Sequence, residues 1–186
     1  MVQSSVRART MTFLVAFVAG GVGGALLDQI HVRAHVLRYA HPSLMGQPWW
    51  VAPQFGIAVV LILVACVSIA RRMMSSRDRV PFVADATAFV LAYVVTGVLR
   101  RNPWAIAVIL IALWVGMLLV HGNRALLLAV SLGLAVVGPI YESLLTWTGS
   151  FHYMVTPLVL RDPAWLPLLY LNAGVLAVSA ARAVTS

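Results

Sequence analysis

Long apolar runs alternate with short polar clusters along this chain. Six runs stand out: Met11–Leu27, Trp49–Ala70, Val80–Leu99, Trp104–Val120, Ala125–Thr146 and Ala164–Ala181. Each is nearly continuous and roughly 17 to 22 residues long, the length a helix needs to cross a bilayer. A barrel strand would be about 10 residues of alternating character. Hydrocarbon also forces every backbone N–H and C=O to pair internally, which a helix does unaided. The pattern therefore predicts an all-α, polytopic integral membrane protein, a bundle of six transmembrane helices forming a single domain over 1–186.

Local features refine these spans. The first run follows Arg7 and Arg9 and ends in small residues, as a signal peptide does, but lacks a clean cleavage site, so it reads as a retained span. Gly20 and Gly24 share a helical face and predict close helix contact, within the chain or between protomers. Six short helices bury little alone, which suits a homo-oligomer. Pro53 and Pro139 interrupt the second and fifth spans and predict kinks that open a cavity to lipid. The stretch Asp28 to Pro48 reads as a polar connector, and Trp147 to Asp162 as a loop.

Composition supports the bilayer as solvent: 62% of residues are hydrophobic and 10% charged. The net charge is +8, and all 13 basic residues are arginine. Arginines in short runs between apolar segments point to topology and anionic headgroups, and away from nucleic acid. With a cytoplasmic N-terminus, the inner segments hold eight: Arg7, Arg9, Arg71, Arg72, Arg77, Arg79, Arg124 and Arg182. The outer segments hold five: Arg33, Arg38, Arg100, Arg101 and Arg161. The asymmetry favours both termini inside. Trp49, Trp50, Trp104, Trp147 and Trp165 then all fall at the outer boundary, where indoles prefer to lie. Arginine without lysine is the bias of a GC-rich bacterial genome and suggests a bacterial inner membrane. Cys66 permits no disulfide within the chain.

Ionisable residues inside spans are functional candidates. Asp85 lies in the third span and Glu142 in the fifth. His31 and His35 have helical ligand spacing with His41 nearby, but no carboxylate or cysteine completes a structural metal set, so no metal is expected. No nucleophile elbow and no phosphate-binding glycine loop occur, and no catalytic residue is assigned. Three classes stay open: a lipid-binding sensor, an intramembrane enzyme acting on a polyprenyl or other lipid, and a small transporter, although no inverted repeat is evident.

Three segments carry a family resemblance. Leu26-Leu27-Asp28-Gln29-Ile30 follows the first span. Gln47-Pro48-Trp49-Trp50-Val51-Ala52-Pro53 opens the second. Ala164-Trp165-Leu166-Pro167 opens the last, with Gly174 and Arg182 beyond it. Together with Tyr141 through Tyr153, in the same order over nearly the whole chain, these resemble the Insig (insulin-induced gene) family. The resemblance implies six spans with both termini cytosolic and a non-enzymatic lipid sensor. In animals that family binds oxysterols and retains the escort protein Scap.

Two departures argue against Scap binding here. The family's Asp-Arg-Ser loop is replaced by His121-Gly122-Asn123-Arg124, and its Asn-His-Ala-Ser stretch by Val94-Val95-Thr96-Gly97. What the resemblance leaves is the fold and a lipid-accepting cavity. A sterol is bulky and apolar with one small uncharged head; the bacterial lipid nearest that description is diacylglycerol. A bound diacylglycerol-like or sterol-like lipid is therefore expected, and no other cofactor. Candidate polar contacts are Gln54, Asp85, Tyr93, Thr96 and Glu142, with Trp50, Phe55 and Trp114 as apolar wall.

Overall fold

The structure is a computed structural model that describes residues 2–73 and 80–185, and the side chains of 10–69 and 80–185. Arg7, Arg9, Arg71, Arg72, Arg77 and Arg79, on which the direction of insertion partly rests, lie outside the described side chains. Among the described residues six helices run up and down: α1 (Val2–Arg33), α2 (Val51–Met73), α3 (Phe82–Val98), α4 (Pro103–Val120), α5 (Arg124–Trp147) and α6 (Leu166–Thr185). Five are long and apolar enough to cross a membrane. The sixth, α3, is apolar but has 17 residues, about 25 Å at 1.5 Å per residue. The chain folds as a six-helix membrane bundle.

The helix ends follow local chemistry. The Asn102 side chain accepts from the Ala105 N–H at 3.1 Å, and Pro103 takes the first helical position of α4, where its missing N–H costs nothing. At the end of α5, Gly149 adopts φ +75°, a left-handed conformation that releases the chain from the helix. Pro53 falls in the first turn of α2, because that helix starts at Val51. It therefore starts the second span and does not interrupt it. Pro139 lies well beyond the first turn, in the interior of α5.

Two short antiparallel ribbons lie at one end of the bundle. β1 (Leu37–Tyr39) pairs with β2 (Phe151–Tyr153), and β3 (Leu158–Val159) with β4 (Asp162–Pro163). In the first ribbon Leu37, Tyr39, Phe151 and Tyr153 turn inward, while Arg38 and His152 face out. This alternation lets a three-residue strand act as a lid with a dry underside. We call this the ribbon end, and the opposite end, where α1 begins and α6 ends, the terminal end.

The connector expected from Asp28 to Pro48 begins later than its polarity suggests. α1 continues through Arg33, carrying Asp28, Gln29 and His31 as buried helical residues. His35 follows the helix at φ 54° and is exposed. The two histidines therefore do not share a face, and the ligand spacing between them is not realised.

α6 is the central helix. Half of its apolar window is buried, against at most 28% for the other long spans. It packs on α2, α3, α4 and α5, and Asn172 donates to the Leu110 carbonyl of α4 at 3.1 Å. Glycines set the closest approaches. A Cβ on Gly20 would meet the Val59 side chain at 2.6 Å, and one on Gly21 the Ala52 backbone oxygen at 2.8 Å. The Gly20–Gly24 face is thus filled by α2 within the same chain.

Gly20→Ala and Gly21→Ala should each destabilise the bundle by about 1–3 kcal/mol, the usual cost of overpacking a tight contact. Gly23→Ala, with open space around its Cβ, should be neutral. Thermal midpoints in detergent would check this; equal shifts for Gly21 and Gly23 would refute the packing role.

Candidate functional site

The helices enclose a cavity of about 70 Å³ beneath the β1–β2 ribbon. α1 supplies Asp28 and His31, α2 Gln54, Phe55 and Ala58, and α3 Tyr93. α5 supplies Tyr141, Glu142 and Leu145, and α6 Leu166, Leu169 and Tyr170. Leu37, Tyr39, Phe151 and Tyr153 of the ribbon close it. Two carboxylates therefore face one small space whose lining, among the described residues, holds no arginine.

Neutral donors answer those carboxylates. The Tyr39 hydroxyl donates to Asp28 Oδ2 at 2.8 Å, and the Gln47 amide donates to the same oxygen at 2.7 Å. Gln47 also holds the Ala25 carbonyl at 2.9 Å, which fixes the loop before α2 against α1. Glu142 receives the Tyr170 hydroxyl at 2.6 Å on one oxygen and the Tyr153 hydroxyl on the other. Burial, and then the charge of Asp28, holds the Tyr39 hydroxyl well above its ordinary pKa. Burial and then Glu142 do the same for Tyr153. Both ribbon tyrosines thus remain proton donors. Thr96 spends its one hydroxyl proton on the Tyr93 carbonyl at 2.8 Å. It must then accept from His31 Nε2, 2.7 Å away, so His31 carries its proton on Nε2. The His31 ring stacks on Tyr93 at 4.8 Å.

A second buried polar cluster lies at the terminal end. Asp85 Oδ1 accepts from His121 Nε2 at 3.0 Å, and Arg182 Nη2 lies 3.2 Å from His121 Nδ1. Arginine only donates, so Nδ1 must accept and the imidazole is the neutral Nε2–H form. Arg182 also comes within 3.8 Å of Asp85 Oδ2. The cluster ties the start of α3, the end of α4 and the end of α6.

These placements sort the candidates from the sequence. Gln54, Phe55, Tyr93 and Glu142 line the cavity. Thr96 stands behind it, holding His31. Trp50 packs edge-on against Tyr39 at 5.7 Å, supporting the lid from outside the lining. Asp85 lies at the other end of the bundle in the ion cluster, and Trp114 packs against the terminal-half core around Leu63, Cys66 and Leu126. Neither belongs to the cavity: Asp85 starts its helix where Glu142 nears the end of its own, so the two acids are separated by most of the bundle. Asp28, His31, Tyr39, Tyr141, Tyr153 and Tyr170 were not expected. Asp28 and His31 were legible in principle, because no glycine or proline breaks the chain between Gly24 and Ala34 and the two sit three apart on one helical face.

No protein-family model matches the chain, and no curated protein does. Solved structures do. A crystal structure of the mycobacterial Insig homolog MvINS from Mycobacterium vanbaalenii matches with a TM-score of 0.77 and 24% identity, over 92% of each chain. A crystal structure of a cross-linked MvINS trimer matches with a TM-score of 0.79 and 23% identity, over 94% of each chain. The chain has the fold of a bacterial Insig homolog. The six-span bundle expected from the resemblance is thus found in an Insig-type fold, with its helices in the same arrangement over nearly the whole length.

Within that fold the Asp85 cluster should be a structural staple. Asp85→Asn leaves Arg182 facing a neutral amide and should cost about 3 kcal/mol, the lower end for breaking a buried pair because Arg182 retains some solvent contact. Chemical denaturation in detergent measures it. Unchanged stability together with loss of bound lipid would instead place Asp85 in ligand binding.

Proposed function

We propose that this protein is a non-enzymatic lipid-binding sensor of the bacterial inner membrane. It holds the small uncharged head of an amphiphile, diacylglycerol or a sterol-like lipid, in the cavity under the ribbon. The observation that carries this reading is the pair of carboxylates, Asp28 and Glu142, in a cavity whose remaining lining is tyrosines, apolar side chains, His31 and Gln54. Such a lining offers acceptors to a hydroxyl donor. It repels a phosphate or carboxylate, which would meet two acids with no cation to offset them.

The volume suits a head of a few heavy atoms and no more. Acyl chains must leave sideways. α2 and α5 both line the cavity yet touch each other sparsely. Tyr141, on the cavity wall, is 42% exposed on the outer surface of α5. The tails would exit between these helices, close to Pro139. The fold match to an Insig homolog supports a regulatory role over a catalytic one, and the proposed topology keeps both termini cytoplasmic. A homo-oligomer belongs to this reading, since MvINS has been cross-linked as a trimer. The Gly20–Gly24 face, occupied by α2, is not its interface.

Native mass spectrometry of the protein extracted from its own membrane should reveal a neutral, hydroxyl-bearing lipid retained at about one per chain. Glu142→Gln should lower that retention at least about tenfold, the range for losing a hydrogen bond to a charged group. Retention of an amine-headed lipid, or chemical conversion of added diacylglycerol, would refute the proposal.

A further inference from the structure

The ribbon end keeps its acids inside and its bases outside. Asp28 and Glu142 face the cavity, and Asp162 is buried with the Ser143 hydroxyl donating to it. Burial raises the Asp162 carboxyl, and that hydrogen bond partly opposes the rise. Arg33, Arg38, Arg101 and Arg161 are exposed, and Arg100 is half-buried. The outer surface of this end is therefore basic, with its carboxylates committed to internal hydrogen bonds.

Arg100 and Arg101 stand apart from the other three. They occupy the turn between α3 and α4 and line an open cleft of about 370 Å³ with His35, Met154, Val155 and Thr156. Neither arginine has an ion-pair partner among the described residues. Met154, in the cleft wall, is 60% exposed, and Val98 and Trp104, two and three positions from the arginine pair along the chain, are 74% and 82% exposed. A large exposed indole beside arginines marks the level of lipid headgroups. These arginines also sit on the side of the bundle that carries fewer of them by count, so topology alone does not account for them.

We infer that this cleft is a site for the phosphate of an anionic phospholipid. Arg100 and Arg101 donate to the phosphate oxygens, the His35 ring N–H reaches it from the end of α1, and Val98, Trp104 and Met154 lie along the lipid's acyl chains. The site is distinct from the cavity, whose two carboxylates repel the same headgroup.

The test places the protein in nanodiscs of phosphatidylcholine alone or mixed with phosphatidylglycerol, then reads retained lipid by native mass spectrometry. Wild type should retain phosphatidylglycerol selectively, and R100Q/R101Q should retain about tenfold less. R38Q/R161Q removes the same charge from the same end outside the cleft and should retain as much as wild type. R101Q alone, at an exposed side chain, should give an intermediate value while leaving the fold intact. Equal loss in both double variants, or no preference over phosphatidylcholine in wild type, would overturn the site in favour of diffuse charge. Displacement of the lipid by millimolar inorganic phosphate would overturn the lipid as its ligand. Neutral lipid in the cavity is read in the same spectra, so failure of one site is separable from failure of the other.

Discussion

A polar group carried into hydrocarbon must find its partner within the bundle, and the few that this chain carries in decide which helices meet. Asp28 of α1 is held by Tyr39 of the ribbon and Gln47 of the loop before α2. Glu142 of α5 is held by Tyr170 of α6 and Tyr153 of the ribbon. His31 of α1 is held by Thr96 of α3. Each bond joins two elements that the hydrophobic effect alone would leave free to slide, since lipid and a neighbouring helix are equally apolar. Small residues then set the distances, as where Gly97 brings α3 onto Ile30 of α1.

The β1–β2 ribbon depends on the same constraint. A three-residue pair has little stability alone. Here its two inward tyrosines are anchored to carboxylates on two different helices, and its inward Leu37 and Phe151 join the ribbon-end core. The ribbon is thus fastened by its side chains as much as by its ladder. In return it closes the cavity from the aqueous side, which gives those carboxylates a low-dielectric setting in which each hydrogen bond counts for more.

Much of the fold could be read from the chain because helices in lipid announce themselves by length. All six apolar runs became helices, with ends within a few residues except at α1. There the polarity of Asp28, Gln29 and His31 suggested a connector, whereas these residues continue the helix and point their polar groups inward. Polarity in a membrane helix marks the interior of the bundle as readily as its end, and a windowed hydropathy reading does not separate the two. The cavity was half legible. Gln54, Phe55, Tyr93 and Glu142 lie where spans converge, while Tyr39 and Tyr153 reach it from strands 114 positions apart in a register that only the tertiary fold sets. Sequence separates Asp85 from Glu142 by position but not by role. Both are acids near a span end, and which end each approaches follows from threading direction; that His121 and Arg182 would meet Asp85 does not.

The two ends of the bundle thus solve the burial of charge in opposite ways, and the proposed functions follow from the difference. At the terminal end an acid is matched by a cation: Asp85 meets Arg182 through a neutral His121, so the counter-charge the acid needs lies within the cluster itself. At the ribbon end acids are matched only by neutral donors, and the cations are turned outward. That separation leaves acceptors inside for a hydroxyl and donors outside for a phosphate. A lipid sensor must discriminate a neutral head from the charged heads that surround it in large excess. Placing carboxylates within and arginines without discriminates by sign of charge before any fit of shape is needed, because a phosphate drawn to the rim is repelled by the interior that a hydroxyl can enter.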